Sequence, residues 1–243
     1  MRSRWLKSSG PLTPASQTES AFLGLTSDLS DESVALRTLT LQMLSRLVPL
    51  GFRERGLDQV LTASLRACER VGYSFDTADR LQAGVDAWYC RHLAGLPHSP
   101  PDPERLKAAL QWLADDDQLI YAWLIGEQAA RCGLDVRVKL ESPRPLREHP
   151  LHDAYWLTHL VLLDTDYLAR PLSHPDASTW GDELEQQVPW LLREPNLDLA
   201  GEVAFCLRFM GRDAGPLLNL LERAGPGIDA HQQATALLAL SAE

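Results

Sequence analysis

Helical sequence patterns follow one another along almost the whole of this chain after residue 18. Apolar residues recur at spacings of three and four, and prolines, glycines and capping residues interrupt them about every 12–20 residues. Helices are predicted at about 30–50, 57–71, 77–96, 102–115, 118–132, 149–169, 179–193, 197–211, 215–224 and 230–241. The pattern predicts an all-α fold of about nine to ten helices stacked as antiparallel helix pairs, either as an α-hairpin solenoid or as an α/α-toroid-like arc.

Proline and small polar residues indicate the domain organisation. Residues 1–18 are rich in Ser, Thr, Pro and Gly, so we expect a flexible N-terminal tail ahead of a single helical domain at 19–243. The prolines of LPHSPPDPE forbid helix continuation, which predicts a subdomain break near 97–103. Apolar and charged residues alternate over 135–140, so a short extended piece is expected there within a loop.

Charge and hydropathy exclude two classes of partner. The chain of 243 residues has a net charge of -10, from 33 acidic and 23 basic residues, and a negative surface repels phosphate. We therefore expect no nucleic-acid partner. The most apolar run, residues 155–163, is too short to span a bilayer, and the N-terminus lacks the apolar stretch of a signal peptide. A cytoplasmic location without membrane association is expected.

Motifs for metals and cofactors are missing from the sequence. Its four cysteines, Cys68, Cys90, Cys132 and Cys206, are far apart and form no CxxC pair. That spacing favours free thiols in a reducing compartment over a zinc site. The phosphate-binding and nucleophile motifs GxGxxG, Walker A and GxSxG are also absent. No metal or cofactor is expected.

One predicted helix, over residues 149–169, combines an apolar surface with a polar stripe. At about 100° per residue, four polar side chains fall within about 60° of one another on the helical wheel. They are His152, Tyr155, His159 and Asp166. Most of the remaining surface is leucine and valine, which indicates a central, buried helix. Buried polar groups need partners, so the stripe predicts a hydrogen-bonded chain that lines a cavity.

The helix over 197–211 offers partners for that stripe. Asp198 and Glu202 are four residues apart and share a helix face. Glu202 adjoins an apolar stripe, so it lies either at the edge of a helix interface or half-buried opposite a base such as His159. Structural alternatives stay open as well: His152 facing solvent, His159 bonded to a backbone carbonyl, and Asp166 capping the helix end.

Two segments resemble a known protein family. The first reads Tyr-x-x-Thr-His followed by Thr-Asp, at Tyr155, Thr158, His159, Thr165 and Asp166. The second reads Asp-Leu-x-x-Glu, at Asp198, Leu199 and Glu202. Over residues 148–212 the chain resembles an uncharacterised family of helical bacterial proteins, often found beside natural-product biosynthesis. The resemblance implies a helical fold and that biosynthetic setting, and it implies no established reaction.

Two functions are compatible with these observations. The first is a helical binding or partner protein that holds a small molecule or peptide, with natural-product biosynthesis as its setting. Its ligand contacts are predicted to be His152, Tyr155, His159 and Asp198. The alternative is an enzyme whose buried cluster performs general acid/base chemistry. Its catalytic residues are predicted to be His159, Tyr155, Glu202 and Asp166. A homodimer is compatible with either function.

Overall fold

The computed structural model describes residues 31–47, 57–116, 118–138, 150–224 and 239. These residues form nine α-helices and no β-strand, which confirms the all-α prediction. The helices are α1 (Asp31–Leu47), α2 (Asp58–Cys68), α3 (Ala78–Leu93), α4 (Pro103–Asp115), α5 (Leu119–Arg131), α6 (Pro150–Asp164), α7 (Ala177–Arg193), α8 (Leu197–Phe209) and α9 (Gly215–Ala224). The predicted tail at 1–18 lies outside the described residues, and so does the predicted helix at 230–241 apart from Ala239.

Helix starts follow the capping residues of the sequence. The Asp102 carboxylate accepts a 2.8 Å hydrogen bond from the backbone N–H of Arg105, and Pro103 occupies the first helical position of α4. Asn196 caps α8 in the same way, through the backbone N–H of Leu199 at 3.1 Å. Each side chain satisfies a donor that the helix itself leaves unpaired.

Packing follows the order of the chain. From α1 to α3 and again from α4 to α9, each helix packs against the next. Helices two apart also pack together in four cases: α1 with α3, α3 with α5, α6 with α8, and α7 with α9. This alternation is the contact pattern of stacked helix pairs, as the sequence predicted.

The two largest of three hydrophobic clusters among the described residues share two helices. The larger includes Tyr89 of α3 and Leu124 of α5, and the smaller includes their sequence neighbours Trp88 and Ile125. The stretch near 97–103 interrupts the helices between α3 and α4. Because α3 and α5 contribute to both clusters, packing is continuous across this interruption.

Helix α6 occupies a central position, as its apolar surface predicted. It packs against α5, α7 and α8, and Leu157, Val161 and Leu163 are buried. No helix in the described ranges has the length and hydrophobicity needed to cross a lipid bilayer. The predicted extended piece is not a strand over the described part, residues 135–138, where Val136 instead packs into the smaller cluster.

The end of α6 differs from the sequence prediction. The helix ends at Asp164 rather than near residue 169. Asp166, Tyr167 and Leu168 then adopt left-handed backbone conformations, with φ of 45°, 51° and 69°. For residues other than glycine this region costs about 1–2 kcal/mol each, so a run of three needs strong tertiary contacts. The helical periodicity of the sequence continues through Tyr167 and Leu168, so it gave no indication of the left-handed turn.

Candidate functional site

The predicted site residues separate into two groups. The first lies where α6 meets α8 and comprises Tyr155, His159, Asp198 and Glu202. Asp166 lies beyond the helix end, and its carboxylate contacts α3 and α5. His152 is exposed in the first turn of α6. The prediction that Asp166 belongs to a continuous polar stripe on this helix is therefore wrong, because α6 ends at Asp164.

Two hydrogen bonds connect α6 to α8. The Tyr155 hydroxyl lies 2.7 Å from Asp198 Oδ2, and the Thr158 hydroxyl lies 2.7 Å from Glu202 Oε2. Positions three apart on α6 thus meet positions four apart on α8, which stacks the two bonds along the interface. Glu202 is buried, so the Thr158 hydroxyl offsets part of the desolvation cost of its carboxylate.

The phenol of Tyr155 is held in its neutral form. Burial raises the pKa of Tyr155 far above its usual value, and the nearby charges of Glu202 and Asp198 raise it further. At neutral pH the hydroxyl is consequently a hydrogen-bond donor to Asp198. A general base would need a pKa near the working pH, so this environment suits structure better than proton abstraction.

His159 is bonded to its own helix. Its Nδ1 lies 2.8 Å from the backbone oxygen of Tyr155 and 3.3 Å from the Thr158 hydroxyl. A carbonyl oxygen only accepts, so Nδ1 donates to it in this arrangement, while the Thr158 hydroxyl lies 2.7 Å from Glu202 Oε2 and 2.9 Å from the same Tyr155 carbonyl. The ring is half-buried. This geometry matches the structural alternative of a histidine bonded to a backbone carbonyl.

Asp166 is the centre of the second group. Its Oδ1 lies 3.2 Å from the Tyr89 hydroxyl and 3.2 Å from Arg131 Nε, and its Oδ2 lies 3.0 Å from Arg170 Nε. Three donors from α3, α5 and the turn after α6 therefore converge on one carboxylate. Burial raises the pKa of the Tyr89 phenol well above its ordinary value, so the hydroxyl donates to Asp166 throughout the neutral range.

Arginines hold the left-handed turn. Arg131 Nη2 and Nε lie 3.1 and 3.3 Å from the carbonyl oxygen of Leu163, which is in the last turn of α6. From α1, Arg46 donates to the carbonyl oxygen of Tyr167. Burial lowers the pKa of the Arg46 guanidinium, and the charge of Asp166 acts in the opposite direction. Arg46 thus supplies a donor to Tyr167, and Arg131 adds to the hydrogen bond that the Leu163 carbonyl accepts from the backbone N–H of Asp166.

The Tyr167 side chain anchors the same turn from inside. It is buried, and its ring meets that of Tyr89 edge-on with centroids 5.6 Å apart. Its hydroxyl lies 3.4 Å from the Gln128 amide, which in turn donates to buried Asp86 at 2.7 Å. Burial first, and then the charge of Asp86, raise the pKa of Tyr167 well above its ordinary value. The burial and contacts of Tyr167 thus offset part of the free-energy cost of the strained backbone in this turn.

A cleft of about 300 Å³ opens beside Asp166. Its lining residues come from α3, α5 and the turn after α6, and they are Tyr89, His92, Leu93, Arg131, Asp166 and Arg170. A volume of about 300 Å³ is at the small end of ligand-binding cavities.

The charges around the cleft sum to a positive value. Arg46, Arg131 and Arg170 surround Asp166, and Glu127 lies 3.2 Å from Arg131. Among the described residues, these three positive and two negative groups sum to +1, whereas the whole chain carries -10. The neighbouring ion pair of an arginine and an aspartate on the loop after α5 leaves that sum unchanged. The cleft is therefore a local positive site on an acidic protein.

Metal ligands do not cluster in the part of the chain that the structure describes, since no group of three or more His, Cys, Asp or Glu residues is placed to hold an ion. The four cysteines are free thiols, and three of them are buried.

The sequence reasoning missed most residues of the cleft. Tyr89, Arg131 and Arg170 were not singled out, because each lies on a different segment and none belongs to a spacing motif. The one available signal was the Glu127–Arg131 spacing of four, which usually indicates a surface ion pair.

Comparison with protein-family models, with curated proteins and with solved structures finds no match for this chain. The resemblance of residues 148–212 to a helical bacterial family therefore stays a prediction.

Proposed function

We propose that this protein is a helical binding protein that holds a small molecule in the cleft beside Asp166. The observation that carries the proposal is the convergence of Tyr89, Arg131 and Arg170 on a carboxylate placed by a strained turn. Strained backbone persists only where surrounding contacts stabilise it, and such residues occur often at ligand sites.

Arginine donors supply the binding capacity. Arg131 uses Nε and one N–H on each terminal nitrogen for Leu163, Asp166 and Glu127. A guanidinium has five N–H groups, so two of those on Arg131 are not used in contacts with described residues. Arg170 is half-exposed and contacts Asp166 through Nε alone within the same ranges, so its two terminal nitrogens face no protein acceptor there. A ligand with acceptor atoms fits such a cleft.

Binding is favoured over catalysis by the chemistry of these groups. Arginine side chains, such as the two that line the cleft, act as charged hydrogen-bond donors rather than as general acids or bases. In the α6–α8 group, Tyr155 is a neutral donor and the His159 Nδ1 is engaged with the backbone. The enzyme alternative and the biosynthetic setting stay predictions from the sequence.

Native mass spectrometry of the purified full chain tests the proposal. A retained small molecule should be present on the wild type and on Arg193→Gln, an exposed control at the end of α7, and absent from Arg170→Gln. If no molecule is retained, a mixed fragment screen by ligand-observed NMR replaces it with the same variants. A ligand bound equally by Arg170→Gln, or a screen without any cleft-dependent ligand, overturns the proposal.

A further inference from the structure

We infer that the cleft recognises the carboxylate group of a small monoanionic acid, which Arg131 and Arg170 bind beside the protein's own Asp166. The inference rests on the proposed function and deepens it by naming the ligand class. It is carried by charge balance, by arginine geometry and by the composition of the cleft wall.

Charge balance favours a single negative charge. The groups around the cleft leave a local charge of +1, which one carboxylate neutralises. A phosphate monoester carries about -1.5 to -2 at neutral pH, so it would leave excess negative charge next to Asp166. A neutral ligand would leave the positive charge uncompensated in a partly desolvated site.

Arginine geometry shows that the site already accepts a carboxylate. Arg131 and Arg170 each place Nε about one hydrogen-bond length from a different oxygen of Asp166, at 3.2 and 3.0 Å. Both arginines line the cleft, and their guanidinium groups have more N–H donors than the contacts with described residues use. A guanidinium matches the two oxygens of a carboxylate through paired N–H groups, which gives both strength and orientation.

The cleft wall from α3 supplies a surface for the rest of the ligand. Leu93 lines it with aliphatic carbon, and the exposed ring of His92 stacks on the fully buried ring of Tyr89 with ring planes 12° apart. A compact acid with a planar or aliphatic body fits a volume of about 300 Å³.

Three probes that share a phenyl body separate the head-group chemistries. Benzoate carries a carboxylate, benzamide is its neutral counterpart, and phenyl phosphate carries the higher charge. Saturation-transfer NMR on the full chain measures their binding, and addition of salt weakens an interaction that depends on charge. We expect benzoate to bind more tightly than both other probes, and more weakly as the NaCl concentration rises.

Variants connect binding to the two arginines. Arg170→Gln should raise the Kd for benzoate about tenfold, because it removes a charge-assisted bidentate contact. Arg193→Gln should leave the Kd unchanged. Arg131→Lys retains the charge but loses the planar fork, and a thermal melt establishes that it folds. It should weaken benzoate binding even where its melting temperature equals that of the wild type.

The outcomes distinguish this inference from the proposed function. Equal binding of benzamide and benzoate, with loss of both in Arg170→Gln, would overturn carboxylate recognition and leave a small-molecule cleft. Tighter binding of phenyl phosphate would overturn the charge-balance argument. Failure of all three probes while a retained molecule depends on Arg170 would also overturn the inference and leave the proposed function in place.

Discussion

Arg131 Nε lies 3.2 Å from Asp166 Oδ1, although 35 residues separate the two in sequence. The same guanidinium also bonds the carbonyl of Leu163 at the end of α6. Arg131 therefore connects α5 to the C-terminal end of α6 and helps to fix the left-handed turn that follows. Its structural role and its proposed ligand-binding role can be separated, because the Arg170 guanidinium contacts the same carboxylate and, among the described residues, no carbonyl at the end of α6.

Arg131→Gln should lower the free energy of unfolding by about 1–3 kcal/mol, since it removes charge-assisted hydrogen bonds to the Leu163 carbonyl and to the Asp166 carboxylate. Arg170→Gln should cost less than about 1 kcal/mol, because Arg170 is half-exposed and makes a single ion pair with Asp166. Urea denaturation of both variants measures the difference. Equal losses would show that the helix-end contact contributes nothing.

Backbone strain at Asp166 predicts an unusual order of stability. Asp166→Gly and Asp166→Ala both remove the carboxylate, but only glycine adopts a φ of 45° without strain. The glycine variant should be more stable by about 1 kcal/mol. At Lys107, exposed within α4, the order should reverse, with alanine more stable by about 0.5–1 kcal/mol. An alanine variant that is more stable than the glycine variant at both positions would contradict a left-handed Asp166.

The course of α6 is readable from the sequence, and its end is not. Leucines and valines around most of the helical wheel predicted a central helix, because such a surface is stable only when it is covered. None of the three left-handed residues, Asp166, Tyr167 and Leu168, is a glycine, so the sequence did not indicate this backbone conformation. Their conformation depends on Arg46 and on the burial of Tyr167, which are tertiary contacts without local signal.

The two parts of the candidate site differ in the same way. Asp198 and Glu202 were predicted as partners of the polar face of α6, since a spacing of four fixes a common helix face. The structure pairs them with Tyr155 and Thr158. The cleft instead brings Tyr89 of α3 together with residues of α5 and of the turn after α6. Residue spacing within one helix does not indicate which distant helices become neighbours.

Thr158 and Glu202 should be energetically coupled. A double-mutant cycle of Thr158→Val and Glu202→Gln measures the interaction across the α6–α8 interface, and a coupling of about 0.5–3 kcal/mol is expected for a buried hydrogen bond. Thr158→Val combined with Lys107→Ala is the matched control, and those effects should add within about 0.5 kcal/mol. Additivity in the first pair would contradict the bond.

Burial should protect the four thiols. Cys68, Cys90 and Cys206 are inaccessible, and burial raises the pKa of half-buried Cys132 to about 12. The thiolate is the reactive form, so the native protein should react with DTNB far more slowly than the same protein in denaturant, where all 4 cysteines should react. Rapid labelling of any thiol in the native state would contradict the packing. A Cys132→Ser variant identifies whether that residue is the one labelled.

Alkaline pH should unfold the protein through its tyrosines. Burial raises the pKa of all 5 tyrosines, that of Tyr121 to about 12. Unfolded tyrosine ionises near about pH 10, so above that pH the unfolded state binds fewer protons than the native state. The tyrosine contribution to the free energy of unfolding should therefore be constant below about pH 9 and fall as the pH rises from about 10 toward about 12.

The ultraviolet absorbance of tyrosinate, followed together with circular dichroism during an alkaline titration, tests this expectation. Native tyrosines should stay un-ionised until the helical signal is lost, so the two signals should change together. Tyr155→Phe removes the hydroxyl that donates to Asp198. That hydroxyl is also one of the ionisable groups that contribute to the alkaline transition. The variant should make the fall in stability with pH less steep. Tyrosinate absorbance that rises near about pH 10 with the helices intact would mean that these phenols are exposed in solution.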